Sequence, residues 1–183
     1  MYFEPFPGVS IHRLASDATK AKAAEFATNK EKFDAKERKW AVGYAKVEQN
    51  DDDVQAAKTK TEWKALQKEK AADFALLRDW VDSHYMPELR GILTTEANRL
   101  PDVEAAVVEK LVSIGFANSL EGRGAYPRAA VNQHVAVRDQ KDLIADVEGA
   151  LDNCRLLMGS CVAAEQRIES RLASARKKTL AMF

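Results

Sequence analysis

Apolar and small residues recur at alternating intervals of three and four positions in the C-terminal quarter of the chain. This run spans residues 139–178, and its apolar positions are Val147, Ala150, Cys154, Leu157, Cys161, Ala164, Ile168 and Ala175. Charged and amide side chains fill the opposite face, which is the pattern of an amphipathic helix with a coiled-coil seam. A helix of about 40 residues is about 60 Å long. We therefore expect its seam to be buried against other helices or against a second copy of the chain.

The N-terminal half predicts two long helices that pack as an antiparallel hairpin. In the first, which begins at residue 10 or 16 and ends at 49, aromatic or apolar residues recur every seven positions, at Phe26, Phe33, Trp40 and Val47. In the second, residues 54–84, the apolar face consists of Trp63, Leu66, Phe74, Leu77, Val81 and Tyr85. The polar residues 50–53 between them suit a helix end and a helix cap.

Three further helical segments are expected. Pro87 should open a third helix and Pro101 a fourth, because proline is favoured at the first helical position. In the fourth helix, Val108 and Val112 should widen the buried face, whose other members are Val103, Val107, Leu111 and Ile114. After an irregular stretch rich in glycine, the last helical region should begin near Pro127, with a kink or a new start at Asp139.

These elements predict an all-α fold, an elongated bundle of five or six helices with a long N-terminal hairpin and a long C-terminal helix. Residues 1–9 should form an extended arm, and residues 10–183 a single helical-bundle domain. Within that domain, 10–86 form the hairpin, 87–126 the short core helices and 127–183 the long C-terminal helical region.

Charge and composition narrow the classes of function. The chain has 183 residues, of which 28 are basic and 28 acidic, so that its formal net charge is zero. A dedicated nucleic-acid or membrane-surface protein normally has a basic excess, whereas a chain without net charge suits self-association. The sequence has no signal-peptide pattern and no apolar run of membrane-spanning length. We expect no membrane partner, and a location in the cytoplasm or in a virion or other assembly.

Both ends of the chain are apolar. Pro5, Pro7 and Gly8 exclude a regular helix from the N-terminal arm, which either folds onto its own core or docks on a neighbouring subunit. Together with the seam and the C-terminus, the arm gives a set of candidate protein-interface residues: Tyr2, Phe3, Phe6, Val9, Cys154, Leu157, Cys161, Ile168, Leu180 and Phe183.

Candidate catalytic chemistry is sparse. The three histidines, His12, His84 and His134, fall in different segments and lack the spacing of a zinc site. The two cysteines are seven residues apart, which is beyond disulfide reach on one straight helix. No residue is therefore predicted to be catalytic or to bind a cofactor or a metal, and we expect that the protein is not an enzyme.

The C-terminal end of the long helix is basic. Such cations are expected from the helix dipole alone, but they can also bind backbone phosphates. The candidate nucleic-acid-binding residues are Arg167, Arg171, Arg176, Lys177 and Lys178.

The sequence therefore favours a non-enzymatic structural protein that self-associates into a homo-oligomer or a larger assembly, for example as a viral or phage-type subunit. Two alternatives stay open. One is a helical adaptor or chaperone-like module that binds another protein's helix in a groove beside the seam. The other is a nucleic-acid-packaging protein that uses the basic C-terminal helix.

Overall fold

A computed structural model of the chain describes residues 11–50, 53–113 and 126–180. Nearly all of these residues are helical and none of them lies in a strand, which confirms the all-α class. The helices are α1 (Asp17–Asn50), α2 (Asp53–Trp80), α3 (Met86–Ser113), α4 (Tyr126–Gln133) and α5 (Val135–Leu180), and a π-helical turn (Val81–Tyr85) lies between α2 and α3. Within the described ranges, no helix is both long enough and apolar enough to cross a membrane.

The expected count of five or six helices is wrong. Because α2, the π-helical turn and α3 follow one another without a break, the described residues form four continuous helical stretches. Pro101 does not open a helix but lies inside α3. Proline removes one backbone hydrogen bond from a helix. The buried Leu89 and Val107 on either side of Pro101 stabilise the helix across this defect.

The ends of the helices have identifiable causes. Ser16 caps α1, since the backbone N–H of Thr19 donates to Ser16 Oγ at 3.2 Å. The last helical region is interrupted at His134 rather than at Asp139, where we expected a kink or a new start. His134 Nδ1 accepts a hydrogen bond from the N–H of Ala136 at 3.3 Å, so an imidazole occupies the capping position of α5.

The structure has two compact units, and the first comprises Met1–Tyr85 and Asn153–Phe183. In this unit α1 and α2 are antiparallel neighbours. Asn29 Nδ2 donates to Asp73 Oδ1 at 2.9 Å, and further along α1 Trp40 Nε1 donates to the carbonyl of Thr59 at 2.8 Å. Between these two contacts, Lys36 Nζ lies 3.0 Å from Glu69 Oε2. In these three contacts, later residues of α1 meet earlier residues of α2, so the two helices run antiparallel as in a helical hairpin.

The core of the first unit is aromatic where the beginning of α1 packs against the end of α2. Tyr85 is 1% exposed, its ring centroid lies 5.6 Å from that of Trp80, and its hydroxyl accepts from the N–H of His12 at 2.9 Å. Phe26 contacts Trp80 from α1, also with a centroid distance of 5.6 Å. Of the six residues expected on the buried face of the second helix, five are buried, and Trp63 is only half-buried.

The second unit, Met86–Asp152, contains α3, α4 and the first part of α5. Val107, Val137 and Val147 are buried there, and the buried Gln140 donates to the carbonyl of Glu96 at 2.9 Å and to its Oε2 at 2.8 Å. Val108 and Val112, which we expected on the buried face of this region, are exposed instead, at 41% and 47%. α3 therefore buries a narrower face than its valine content suggested.

Candidate functional site: a groove between α2 and α5

The four seam residues that we named as interface candidates are buried within the first unit. Cys154, Leu157, Cys161 and Ile168 are between 1% and 5% exposed. An ion pair joins this part of α5 to α2, with 3.0 Å between Arg78 Nη1 and Glu165 Oε1. The expected burial of the seam is confirmed, and its surface is covered by the chain itself. The role of these four residues in binding a partner stays a prediction.

An open groove of about 620 Å³ lies beside the seam, between α2 and α5. Its floor is apolar and includes Phe74, Leu157 and Ile168. On the α5 side the groove is bordered by residues with small side chains or none, which leave it open: Gly159, Ser160, Ala163 and Ala164. A Cβ added at Gly159 would meet nothing within 4 Å, which shows how open this wall is.

The edge of the groove is positively charged. Four of its lining residues are basic (Lys70, Arg155, Arg167 and Arg171), and none of the lining residues that the structure describes is Asp or Glu. Lys70 Nζ is already paired with Glu37 Oε2 at 3.0 Å. Arg167 and Arg171 are exposed and make no ion pair or hydrogen bond with any described residue. Their two charges are therefore available to an anionic ligand.

Two of the five candidate nucleic-acid-binding residues, Arg167 and Arg171, thus line the groove. The other three and Leu180 belong to α5, but their side chains lie outside the described part of the structure: Arg176, Lys177 and Lys178. The remaining interface candidates lie outside the described residues altogether: Tyr2, Phe3, Phe6, Val9 and Phe183.

A polar cluster lies next to the apolar seam in the first unit. Asp73 is 6% exposed, and its Oδ1 accepts from Asn29, whereas its Oδ2 is buried without a hydrogen-bond partner among the described residues. Burial raises the pKa of the Asp73 carboxyl above its ordinary value, more than the hydrogen bond from Asn29 lowers it. The charges of Asp73, Arg78 and Glu165 all act on the neighbouring Cys161 thiol.

The two thiols do not have the environment of a nucleophile. Burial raises the pKa of Cys154 to about 12 and that of Cys161 to about 11. A reactive cysteine needs a lowered pKa and access to solvent. Both residues therefore act as small apolar members of the core.

Each of the three histidine side chains makes a local hydrogen-bonding contact with a residue one or two positions away. His134 caps α5, and His84 Nδ1 lies 2.6 Å from Ser83 Oγ on an exposed surface. In the ranges that the structure describes, His, Cys, Asp and Glu side chains form no group of three that is able to hold a metal ion.

A second groove, of about 430 Å³, lies toward the end of the hairpin where α1 ends and α2 begins. Trp40 and Leu66 form part of its wall, and the rings of Trp40 and Trp63 are 5.7 Å apart. Its charged residues are of both signs, and Lys36 and Glu69 neutralise each other across it. Compared with the α2–α5 groove, this one has little selectivity for charge.

From the sequence we named Arg167, Arg171, Leu157 and Ile168 and, in one of the alternatives, a groove beside the seam, but we did not identify α2 as the other wall of that groove. A signal was present, since small side chains at 159, 160, 163 and 164 form a strip beside the seam. The α2 wall, with Lys70 and Phe74, is about 90 residues away in the sequence and needs the three-dimensional structure.

Neither the models of known protein families, nor the curated proteins, nor the solved structures gave a match to this chain. What the groove is able to bind is therefore inferred from its own shape and charge.

Proposed function

We propose that the chain is a non-enzymatic assembly protein that binds a helical segment of another polypeptide in the groove between α2 and α5. One observation carries this proposal. The groove combines an apolar floor, a wall of small side chains and a cationic edge, with no Asp or Glu among the lining residues that the structure describes.

The small wall favours a helix as the ligand. The distance between two packed helices is 8–10 Å and depends on the side chains at the contact, so Gly159, Ser160 and Ala163 allow a close approach. From Arg155 to Arg171 the groove follows α5 for about 24 Å, at 1.5 Å per residue. A ligand helix of about four turns would have apolar residues at intervals of three and four positions along this length.

The cationic edge selects the charge of the ligand. Arg167 and Arg171 would attract a segment whose apolar stripe is flanked by Asp or Glu. Both arginines are exposed, so they should contribute more to orientation and association rate than to affinity, and salt should weaken the attraction.

Nucleic acid fits the same groove less well. Single-stranded nucleic acid binds to exposed aromatic rings on which its bases stack, and the only aromatic side chain that lines this groove among the described residues, Phe74, is 6% exposed. Two unpaired arginines provide few phosphate contacts.

A designed peptide tests this proposal. The probe is a fluorescein-labelled amphipathic helix with an apolar stripe and Glu flanks, and its partner probe has Lys in place of every Glu. Fluorescence anisotropy should show that the acidic probe binds the full chain more tightly than the basic probe. The double variant Arg167→Glu/Arg171→Glu should raise Kd by about tenfold or more, which corresponds to about 1.4 kcal/mol. Ala164→Trp should block the groove sterically.

The matched control is Arg138→Glu, at an exposed arginine on α5 outside the groove, which should leave Kd unchanged. Equal binding of both probes, or no effect of the groove variants, would overturn the proposal. A labelled single-stranded oligonucleotide is the third probe. If it binds more tightly than the acidic helix and is lost in the same variants, the nucleic-acid alternative replaces this function.

A further inference from the structure

Helix α3 presents an exposed apolar strip in the second unit. Its members are Pro101, Ala105, Val108 and Val112, spaced by four, three and four residues, so they lie on one face of the helix. All four are exposed, and the two valines are 41% and 47% exposed. Of these four residues, the sequence pattern had assigned Val108 and Val112 to the edge of the buried face.

The strip has acidic residues along one side. Asp102 and Glu109 are exposed and make no ion pair or hydrogen bond with any described residue. Glu104 lies on the other side, where its Oε1 is 3.5 Å from Lys141 Nζ, so its charge is largely balanced. On that side Ala105 and Val108 also line a pocket with Arg128 of α4. On the side of Asp102 and Glu109 the strip has the properties required of a ligand for the groove: an apolar stripe at helical spacing with unpaired carboxylates beside it.

We propose that the α3 strip of one copy of this chain docks in the α2–α5 groove of a second copy. This inference rests on the proposed function, because it names the ligand of the same groove. Asp102 and Glu109 supply the negative charge opposite Arg167 and Arg171, and Val108 and Val112 supply the apolar anchors. The strip is about 17 Å long from Pro101 to Val112, which is shorter than the groove at about 24 Å.

Such a contact joins two different surfaces, so it is heterologous. Each copy that offers its strip to one neighbour still has its groove available for the next. Association stops at a dimer if two copies exchange strips reciprocally, and otherwise continues to a closed ring or to an open chain of subunits. The docked strip is thus the subunit contact that we propose for the homo-oligomer expected from the sequence.

The contact is small. Stable protein complexes bury about 1,600 Å², and about three turns of one helix bury less than that. The average mass should therefore rise with protein concentration over the accessible range and fall as salt is added, because both charge pairs lie at exposed positions.

Charge reversal with complementation tests this inference. The groove variant is Arg167→Glu/Arg171→Glu, and the strip variant is Asp102→Lys/Glu109→Lys. In sedimentation velocity, the wild-type chain should form species above the monomer, and each double variant alone should shift the association by about tenfold or more in concentration. An equimolar mixture should regain association, because the intact strip of one variant fits the intact groove of the other.

The control variant is Arg138→Glu/Glu148→Lys, at exposed positions of α5 that belong to neither surface, and it should associate like the wild type. Val108→Ser/Val112→Ser tests the apolar anchors without a change of charge and should also weaken association. Circular dichroism checks that each variant retains its helical content.

The outcomes separate the two proposals. A wild-type chain that binds the acidic peptide but stays monomeric at its highest attainable concentration overturns this inference and leaves the proposed function standing. Self-association that the strip variants do not weaken, or variants that fail to complement each other, also overturn it. Absence of peptide binding removes the proposed function and this inference together.

Discussion

Arg78 of α2 donates from one guanidinium nitrogen to both carboxylate oxygens of Glu165 on α5, at 3.0 and 3.2 Å. The side chains of this pair are 32% and 22% exposed, so it is better shielded from water than the other described pairs apart from Lys70–Glu37. It joins the two helices that form the groove, and it therefore contributes to the groove's geometry as well as to stability.

Glu165→Gln should lower the free energy of unfolding by about 1–2 kcal/mol, because the hydrogen bonds lose their charge while Arg78 stays partly buried. Urea unfolding followed by circular dichroism measures this change. The control is Glu25→Gln, whose partner Lys22 lies 2.8 Å away on an exposed face of α1. Loss of that pair should cost less than about 0.5 kcal/mol. Equal effects of the two substitutions would contradict a special role for the shielded pair.

Leu157→Ala should lower the free energy of unfolding by about 2–5 kcal/mol, since it removes a side chain that is 2% exposed and leaves a cavity. The preceding residue provides the control. Leu156 is 61% exposed, and Leu156→Ala should change stability by no more than about 0.5 kcal/mol. Similar losses of unfolding free energy in the two variants would contradict the burial of Leu157 and the exposure of Leu156.

Native Cys154 and Cys161 should react slowly with a maleimide and quickly in denaturant, because burial restricts access and raises the pKa of both thiols. Val162→Cys, on the more exposed side of the same turn, should react rapidly in the native state. The folded chain holds both thiol protons to higher pH than the unfolded chain does. Their contribution to stability should therefore be present below the ordinary thiol pKa of 9.0 and be lost as pH rises toward about 11.

Asp73→Asn should stabilise the protein at neutral pH. The pKa of this carboxyl is raised in the folded state, so its contribution to stability is present below its ordinary pKa of 3.8 and is lost as pH rises through the folded value. The advantage of the variant should shrink as the pH is lowered and the wild-type carboxyl is protonated. Urea unfolding at a series of pH values measures this difference. The control variant is Asp82→Asn, at an exposed position, which should change the free energy of unfolding by no more than about 0.5 kcal/mol.

The sequence predicted well what depends on helical periodicity. The spacing of Leu66, Leu77 and Val81 identified the buried face of α2, and the spacing of Cys154 and Leu157 identified that of α5. In each case the apolar residues recur often enough to select one face of a helix, and burial then follows from the hydrophobic effect.

What the sequence did not predict depends on tertiary contacts. Pro101 has the local properties of a helix start, but packing of the helix on both sides of it prevails over this preference. Val108 and Val107 are adjacent and chemically identical, so only the position of the neighbouring helices decides which of them is buried. The groove required Phe74 and Ile168 to come together from distant parts of the chain.

The three tryptophans of the chain, Trp40, Trp63 and Trp80, all belong to the first unit. Intrinsic fluorescence is therefore a local reporter. It follows the loss of the Trp40–Trp63 and Phe26–Trp80 contacts, while far-ultraviolet circular dichroism records the melting of helices everywhere. Coincident denaturation curves from the two signals would show a single cooperative transition. Separate midpoints would show that the portion carrying the groove and the portion carrying the α3 strip unfold in distinct steps, without any added label.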